Sequence, residues 1–203
     1  MKGDYMDSDL VEEIEYIITL LTKSGFFSVD EIVEILEDQF IDEEIDFSGF
    51  EILLEESSNQ NFSKLENAFV KLAGENIVAV HNCGYDIEEG VADAFELYVH
   101  LINNKFKPCG FCFYTIEDVE YAIFDNKLRI TFGDFENDES KALEIGKLVS
   151  KYLKDENFTI NWDETVNNQI EINPIEWDKS YDDGKEYEIE GAYEVYIANQ
   201  VLE

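Results

Sequence analysis

The residues best equipped for chemistry fall in three short stretches. His81-Asn82-Cys83-Gly84-Tyr85 gathers an imidazole, an amide, a thiol and a phenol in five positions. Cys109-Gly110-Phe111-Cys112 sets two thiols three apart, and Glu117, Asp118 and Glu120 supply carboxylates. An imidazole with carboxylates is the material of general acid–base catalysis, so His81, Asp118 and Glu120 are the catalytic candidates. His81, Asn82, Gly84 and Tyr85 form a candidate ligand loop, because the chain here leaves a strand at its carboxyl end, where α/β sheets bind ligands. His81, Cys83, Cys109 and Cys112 are the right types for zinc, but they lack the doubled tight pairs of structural sites. A redox Cys-x-x-Cys follows a strand and opens a helix, whereas Cys112 reads as strand interior. The favoured reading is three thiols behaving as small apolar side chains, without a metal. Thr115 with Asp118 has helix-capping spacing. Asp134, Glu136 and Asp138 alternate like a cation loop but lack its glycine and closing glutamate, so they too read as caps. No phosphate-cradling glycine loop, serine elbow or zinc-protease helix occurs, and no cofactor is expected.

The elements that must carry these residues follow from periodicity. Leu10, Val11, Ile14, Ile17, Ile18 and Leu21 recur at helical spacing, Ser24-Gly25 breaks the run, and Ser28 with Glu31 starts a second helix. Ile32, Val33, Ile35, Leu36 and Phe40 make one arc of that helix. Ile41 to Asn61 has no clear period. From Phe62 onward helices and strands alternate: a helix to Leu72, a strand at 76–81, a helix at 88–104, a strand at 110–114, a short helix to Ile123, a strand at 127–132 and a helix at 138–156. Strands at 158–162 and 169–177 then form a hairpin. The expected fold is α+β or α/β, with a mixed sheet of about five strands covered by helices and preceded by an acidic helical hairpin. The corresponding regions are 1–61, 62–177 and an acidic, tyrosine-rich extension at 178–203, whose pattern permits either a strand or a helix.

Charge is the most unusual property of the chain. Its 203 residues carry 48 acidic against 14 basic side chains, a net charge of −34. Phosphate neutralisation needs cations, so direct binding to nucleic acid is excluded, as is an anionic membrane surface. No run of eighteen apolar residues is present. Asp4, Asp7 and Asp9 outnumber Lys2 at the amino terminus, the opposite of a secretory leader, which predicts a cytoplasmic protein. Between Lys23 and Lys64 there are twelve carboxylates and no base. Asp30, Glu31, Glu34, Glu37 and Asp38 fill the wet arc of the second helix, and Asp42, Glu43 and Glu44 continue it. These eight are the candidate binding residues for a basic protein partner, which a polyanion attracts over about 8 Å at physiological salt.

Several segments resemble an uncharacterised bacterial domain family with the pattern His-Asn-x-Gly-Tyr, Gly-Tyr-Cys-Phe-Tyr-His, Asp-x-Glu, Phe-Gly and Trp-x-Gly. They are Ile77 through Tyr85, Gly110-Phe111-Cys112-Phe113-Tyr114, Asp118-Val119-Glu120, Phe132-Gly133-Asp134, Ile145-Gly146 and Trp162-Asp163. The resemblance spans residues 62–177 and brings no activity with it. Thr115 stands where that family often has His, and Cys83 where Ala is common. Two functions follow as expectations. One is a non-enzymatic inhibitor or immunity-type protein whose carboxylates dock on a basic partner, standing in for nucleic-acid phosphates. The other is a small-ligand binder or hydrolase using His81–Tyr85 with Asp118 or Glu120.

Overall fold

A computed structural model describes residues 7–43 and 45–200. Glu44 and Val201, which the sequence places in the acidic run and the tail, lie outside the described residues. The chain forms two compact units. One takes the chain up to Ser58 together with Lys179–Asp183, and the other takes Asn59–Asp178 and the chain from Gly184 onward.

The first unit is built on a helical hairpin. Helix α1, Ser8–Ser24, ends where Gly25 adopts a left-handed backbone at φ 71°. A side chain there would run into the backbone of Lys179. Helix α2, Val29–Gln39, opens on a full capping box: Ser28 accepts from the Glu31 amide, and Glu31 accepts from the Ser28 amide. Ile14, Ile18 and Leu21 of α1 bury against Ile32 and Leu36 of α2, with Phe40 and Phe47 closing the cluster. The aperiodic stretch after α2 holds one turn of 3-10 helix, Phe47–Gly49, and its apolar residues Ile45, Phe50, Ile52 and Leu54 pack on the same core. Lys179 closes this unit. It is only 4% exposed, and its ammonium donates to the carbonyls of Gly25 and Ser180 beside the Phe26 ring.

The second unit is the expected mixed sheet. Its elements are α3 (Gln60–Gly74), β1 (Ile77–Val80), α4 (Ile87–Asn103), β2 (Gly110–Phe113), α5 (Ile116–Asp125), β3 (Leu128–Gly133), α6 (Glu139–Asp155), β4 (Ile160–Asn161), β5 (Ile170–Ile172) and α7 (Ile189–Ala198). The strand order is β1-β2-β3-β5-β4. Only β1 and β2 run parallel, as a helical crossover requires, and the other pairs are antiparallel. The hairpin of the last two strands forms as the sequence predicts. Within the tail, Ile189–Ala198 is a helix: Ile189, Ala192, Tyr193, Tyr196 and Ile197 recur at helical spacing and pack on the core that contains Val80, Leu97 and Phe113.

Candidate functional site

The parallel register decides what meets the His81 loop. Val80 pairs with Phe113, so the residue after each strand lies beside its counterpart, and His81 meets Tyr114. The two are buried and joined at 2.7 Å between Nδ1 and Oη. Phe69 of α3 stacks on the imidazole with ring centres 4.4 Å apart, and Phe62 and Tyr187 complete an aromatic enclosure. Burial pushes the Tyr114 hydroxyl well above its ordinary pKa, and the charges of Glu66 and Tyr187 add to the rise. Above His81 a cleft of about 190 Å³ opens between α3, β1 and α7, with Phe69 and Val195 as apolar walls and the Lys185–Glu66 ion pair beside it.

The rest of the loop serves its own geometry. Asn82 takes a left-handed backbone at φ 49°, and its amide donates to Glu188 at 3.2 Å. Gly84, at φ 71°, lies so close to the backbone of Gly90 that a Cβ would stand 2.7 Å from its nitrogen, so glycine is required on two counts. Tyr85 is exposed, and its backbone amide is held by Glu89. The glycines at 133 and 146 in the resemblance have a similar cause: Phe111 crowds the first, and Phe132 and Trp162 the second.

Asp118 and Glu120 lie on α5. Asp118 is the third residue of that helix and completes a capping box with Thr115. Its other oxygen meets Nε of Arg129 at 3.1 Å, and the guanidinium lies 3.9 Å over the Tyr121 ring. Burial raises the Asp118 pKa, against the lowering effects of the Thr115 amide and Arg129. This carboxylate is therefore committed to the helix start and to the chain's one arginine. Sequence reasoning did not single out Tyr114, Tyr187, Phe69 or Arg129 for these roles. The one available signal was that Arg129 is the lone arginine, placed on a strand.

The four zinc candidates do not converge. His81 and Cys83 follow β1, whereas Cys109 precedes β2 at the opposite end of the parallel pair, where its amide bonds to the Asn76 carbonyl. Four strand residues span roughly 13 Å. Among the described residues no group of three or more His, Cys, Asp or Glu side chains can hold a metal ion. Cys112 sits inside β2 and Cys109 outside it, so the pair lacks the helix-start geometry of a redox site. Burial pushes the Cys83 and Cys112 thiols far up; it raises Cys109 as well, but only Cys109 is exposed to a reagent. A thiol reagent at neutral pH is expected to modify Cys109 alone in the folded protein and all three cysteines in denaturant. A second fast-reacting thiol would contradict the packing. Asp134 and Asp138 are also accounted for: Asp134 accepts from the amides of Glu136 and Asp138, and Asp138 caps α6.

On the first unit, Ile32 and Leu36 anchor α2 in the core while Asp30, Glu31, Glu34, Glu37 and Asp38 are exposed, as are Asp42 and Glu43 beyond it. Glu31 is tied into the capping box. Among the described residues no ion pair involves this face.

Three carboxyls in the second unit have raised pKa values. Burial is the main cause for Asp118, Asp93 and Glu188, and nearby acids reinforce it for the last two. Their native pKa exceeds the unfolded value, so the native state binds more protons between the two, and stability rises as pH falls through the raised values. Asp46 and Asp163, held low by Ser48 and Asn168, lose stabilisation only below the ordinary carboxylate range. Relief of self-repulsion in so acidic a chain acts in the same direction as the first group. The melting temperature is expected to rise as pH is lowered from neutrality toward the ordinary carboxylate range, and added salt at neutral pH to raise it; a melting temperature that falls steadily over that interval would contradict this assignment.

Among the described residues no helix is long and apolar enough to cross a membrane. No curated protein and no solved structure matches the chain. The profile of a family described as a domain of unknown function (DUF6891) matches residues 7–181. That match runs further than the 62–177 span of the sequence resemblance, taking in the acidic helices α1 and α2, while α7 lies beyond it. With most of its length inside that profile, the chain belongs to the DUF6891 family.

Proposed function

We propose that this is a docking protein whose acidic first unit engages a basic protein partner, in the manner of an inhibitor or immunity protein that presents carboxylates in place of nucleic-acid phosphates. The observation that supports this is the one-signed, exposed face of α2 on a helix whose opposite face is firmly buried. Carboxylates three and four apart on a helix stand about 5–6 Å from one another and repel unless solvated or matched by cations. A partner carrying lysines and arginines relieves that repulsion and is steered in from a distance, so association is fast and sensitive to salt. The test is capture of proteins from an extract of the source cells over a series of ionic strengths, with wild type and with Glu34→Gln/Glu37→Gln/Asp38→Asn. Wild type is expected to retain a basic protein at low salt and release it as salt rises, and the triple variant to retain much less. Equal retention by both would overturn the reading.

A second reading rests on the cleft over His81. A small polar molecule placed there would face the imidazole edge, the aromatic walls and both signs of charge from Lys185 and Glu66. Asp118, being spent on the cap and on Arg129, is not needed for it. Val195→Trp, which fills the cleft, should abolish any ligand-induced rise in melting temperature found by screening metabolites. A rise that survives this substitution would place the ligand elsewhere.

A further inference from the structure

The second unit carries a groove that neither reading above uses. It lies between α4 and α7 and encloses about 450 Å³. Its floor and walls are apolar, from Leu97 and Val99 of α4 and Ile189 and Tyr193 of α7. Val99 is 49% exposed, and Ile102, one helical turn further on, is exposed as well. The Tyr193 ring is fixed by an edge contact with His100, 4.8 Å between centres. The rim bears carboxylates on both sides: Glu96 on α4, and Glu190 and Glu194 four residues apart on α7.

We propose that this groove receives an amphipathic helix whose apolar stripe is flanked by lysine or arginine. Three features of the groove select that occupant. A trough between two packed helices is filled most closely by the side-chain ridge of a third. Apolar anchors three and four apart fit a floor of this kind, as in other helix-in-groove complexes. The carboxylates at 190 and 194 match cations spaced four apart along one flank of the incoming helix, and Glu96 matches one on the other. A second copy of this chain is disfavoured, because it would set one acidic rim against another. A cation near Tyr193 gains further from the ring face. The inference is independent of the α2 face, which belongs to the other unit.

The test uses the whole protein and a labelled synthetic leucine–lysine amphipathic helix of about 18 residues, five turns. Two comparison peptides are needed: the same composition scrambled so that no apolar stripe forms, and a leucine–glutamate version. Fluorescence anisotropy at physiological salt should show the leucine–lysine helix binding at least about tenfold more tightly than either, a gap of one decade in Kd. Val99→Lys, an exposed position, should remove that preference with the melting temperature unchanged. Glu190→Gln/Glu194→Gln should weaken the leucine–lysine helix without weakening the scrambled peptide equally. A photo-reactive leucine in the peptide should cross-link to α4 and α7. Equal binding of the scrambled peptide, an unchanged Kd in Val99→Lys, cross-linking confined to α2, or a wild-type dimer that Val99→Lys dissociates would each overturn the proposal. Loss of binding in the α2 triple variant alone, with Val99→Lys unaffected, would reject this groove while supporting the first-unit face.

Discussion

Replacing Asp118 by alanine is expected to destabilise the second unit by about 1–3 kcal/mol, the range for leaving a buried hydrogen-bonding group without its partner. The carboxylate performs two tasks with two oxygens. One accepts from the amide and hydroxyl of Thr115, and the other faces Arg129. Alanine leaves the Thr115 amide without its acceptor at the start of α5 and leaves the guanidinium half-buried beside Tyr121 without its counter-charge. Asp118→Asn keeps an oxygen for the cap and loses only the charge, so it should cost clearly less. Denaturant unfolding of the two variants measures both quantities. If alanine and asparagine cost the same, the cap contributes little. If neither costs more than a surface substitution, the carboxylate is free for other chemistry and the catalytic reading regains it.

Replacing Lys179 by alanine should cost about 2–4 kcal/mol, because the Gly25 and Ser180 carbonyls lose a charged donor in a buried place. The left-handed turn at Gly25, which ends α1, packs directly on the Lys179 backbone. The loss should therefore appear first as faster hydrogen exchange in α1 and α2, with the sheet of the second unit protected as before. Lys179→Met, which keeps an apolar stem but loses the ammonium that lies over the Phe26 ring, is expected to restore part of the loss. Uniform loss of protection across the whole chain would contradict the assignment of Lys179 to the first unit.

Local patterns in the sequence reveal the elements and hide their partners. Helices α1 and α2 are legible because their apolar residues keep a 3.6-residue period and because Ser28 and Glu31 stand at capping distance. The same spacing marks Thr115 and Asp118, so the cap of α5 is legible as well. The placement of β5 between β3 and β4 is not, since two or three residues of strand carry no mark of their neighbour. The tail allows two periods, and packing on the core decides for the helix. Lys179 in an acidic tail reads as a solvated charge, and only its burial beside Gly25 shows otherwise. His81 stood out by type and position. That its partner is Tyr114 and not Cys83 or Asp118 follows from the parallel register of β1 and β2, which is a long-range property. The same register sends Cys109 to the far end of the pair and separates the four residues whose types suit zinc.

The carboxylates of α2 are legible in number and in phase, since helical spacing alone puts Asp30, Glu34, Glu37 and Asp38 on the wet side. Burial of Ile32 and Leu36 adds that this side is held outward by a fixed core. Such a face is favourable for the isolated chain only through hydration, and a cationic partner supplies what the protein itself does not. The most direct measurement is the association rate of the basic protein retained at low salt, followed over a range of ionic strength for wild type and for Glu34→Gln/Glu37→Gln/Asp38→Asn. Electrostatic docking through α2 predicts a steep fall in the wild-type rate with salt, a slower rate in the variant at low salt, and convergence of the two at high salt. Identical rates and identical salt slopes would contradict it.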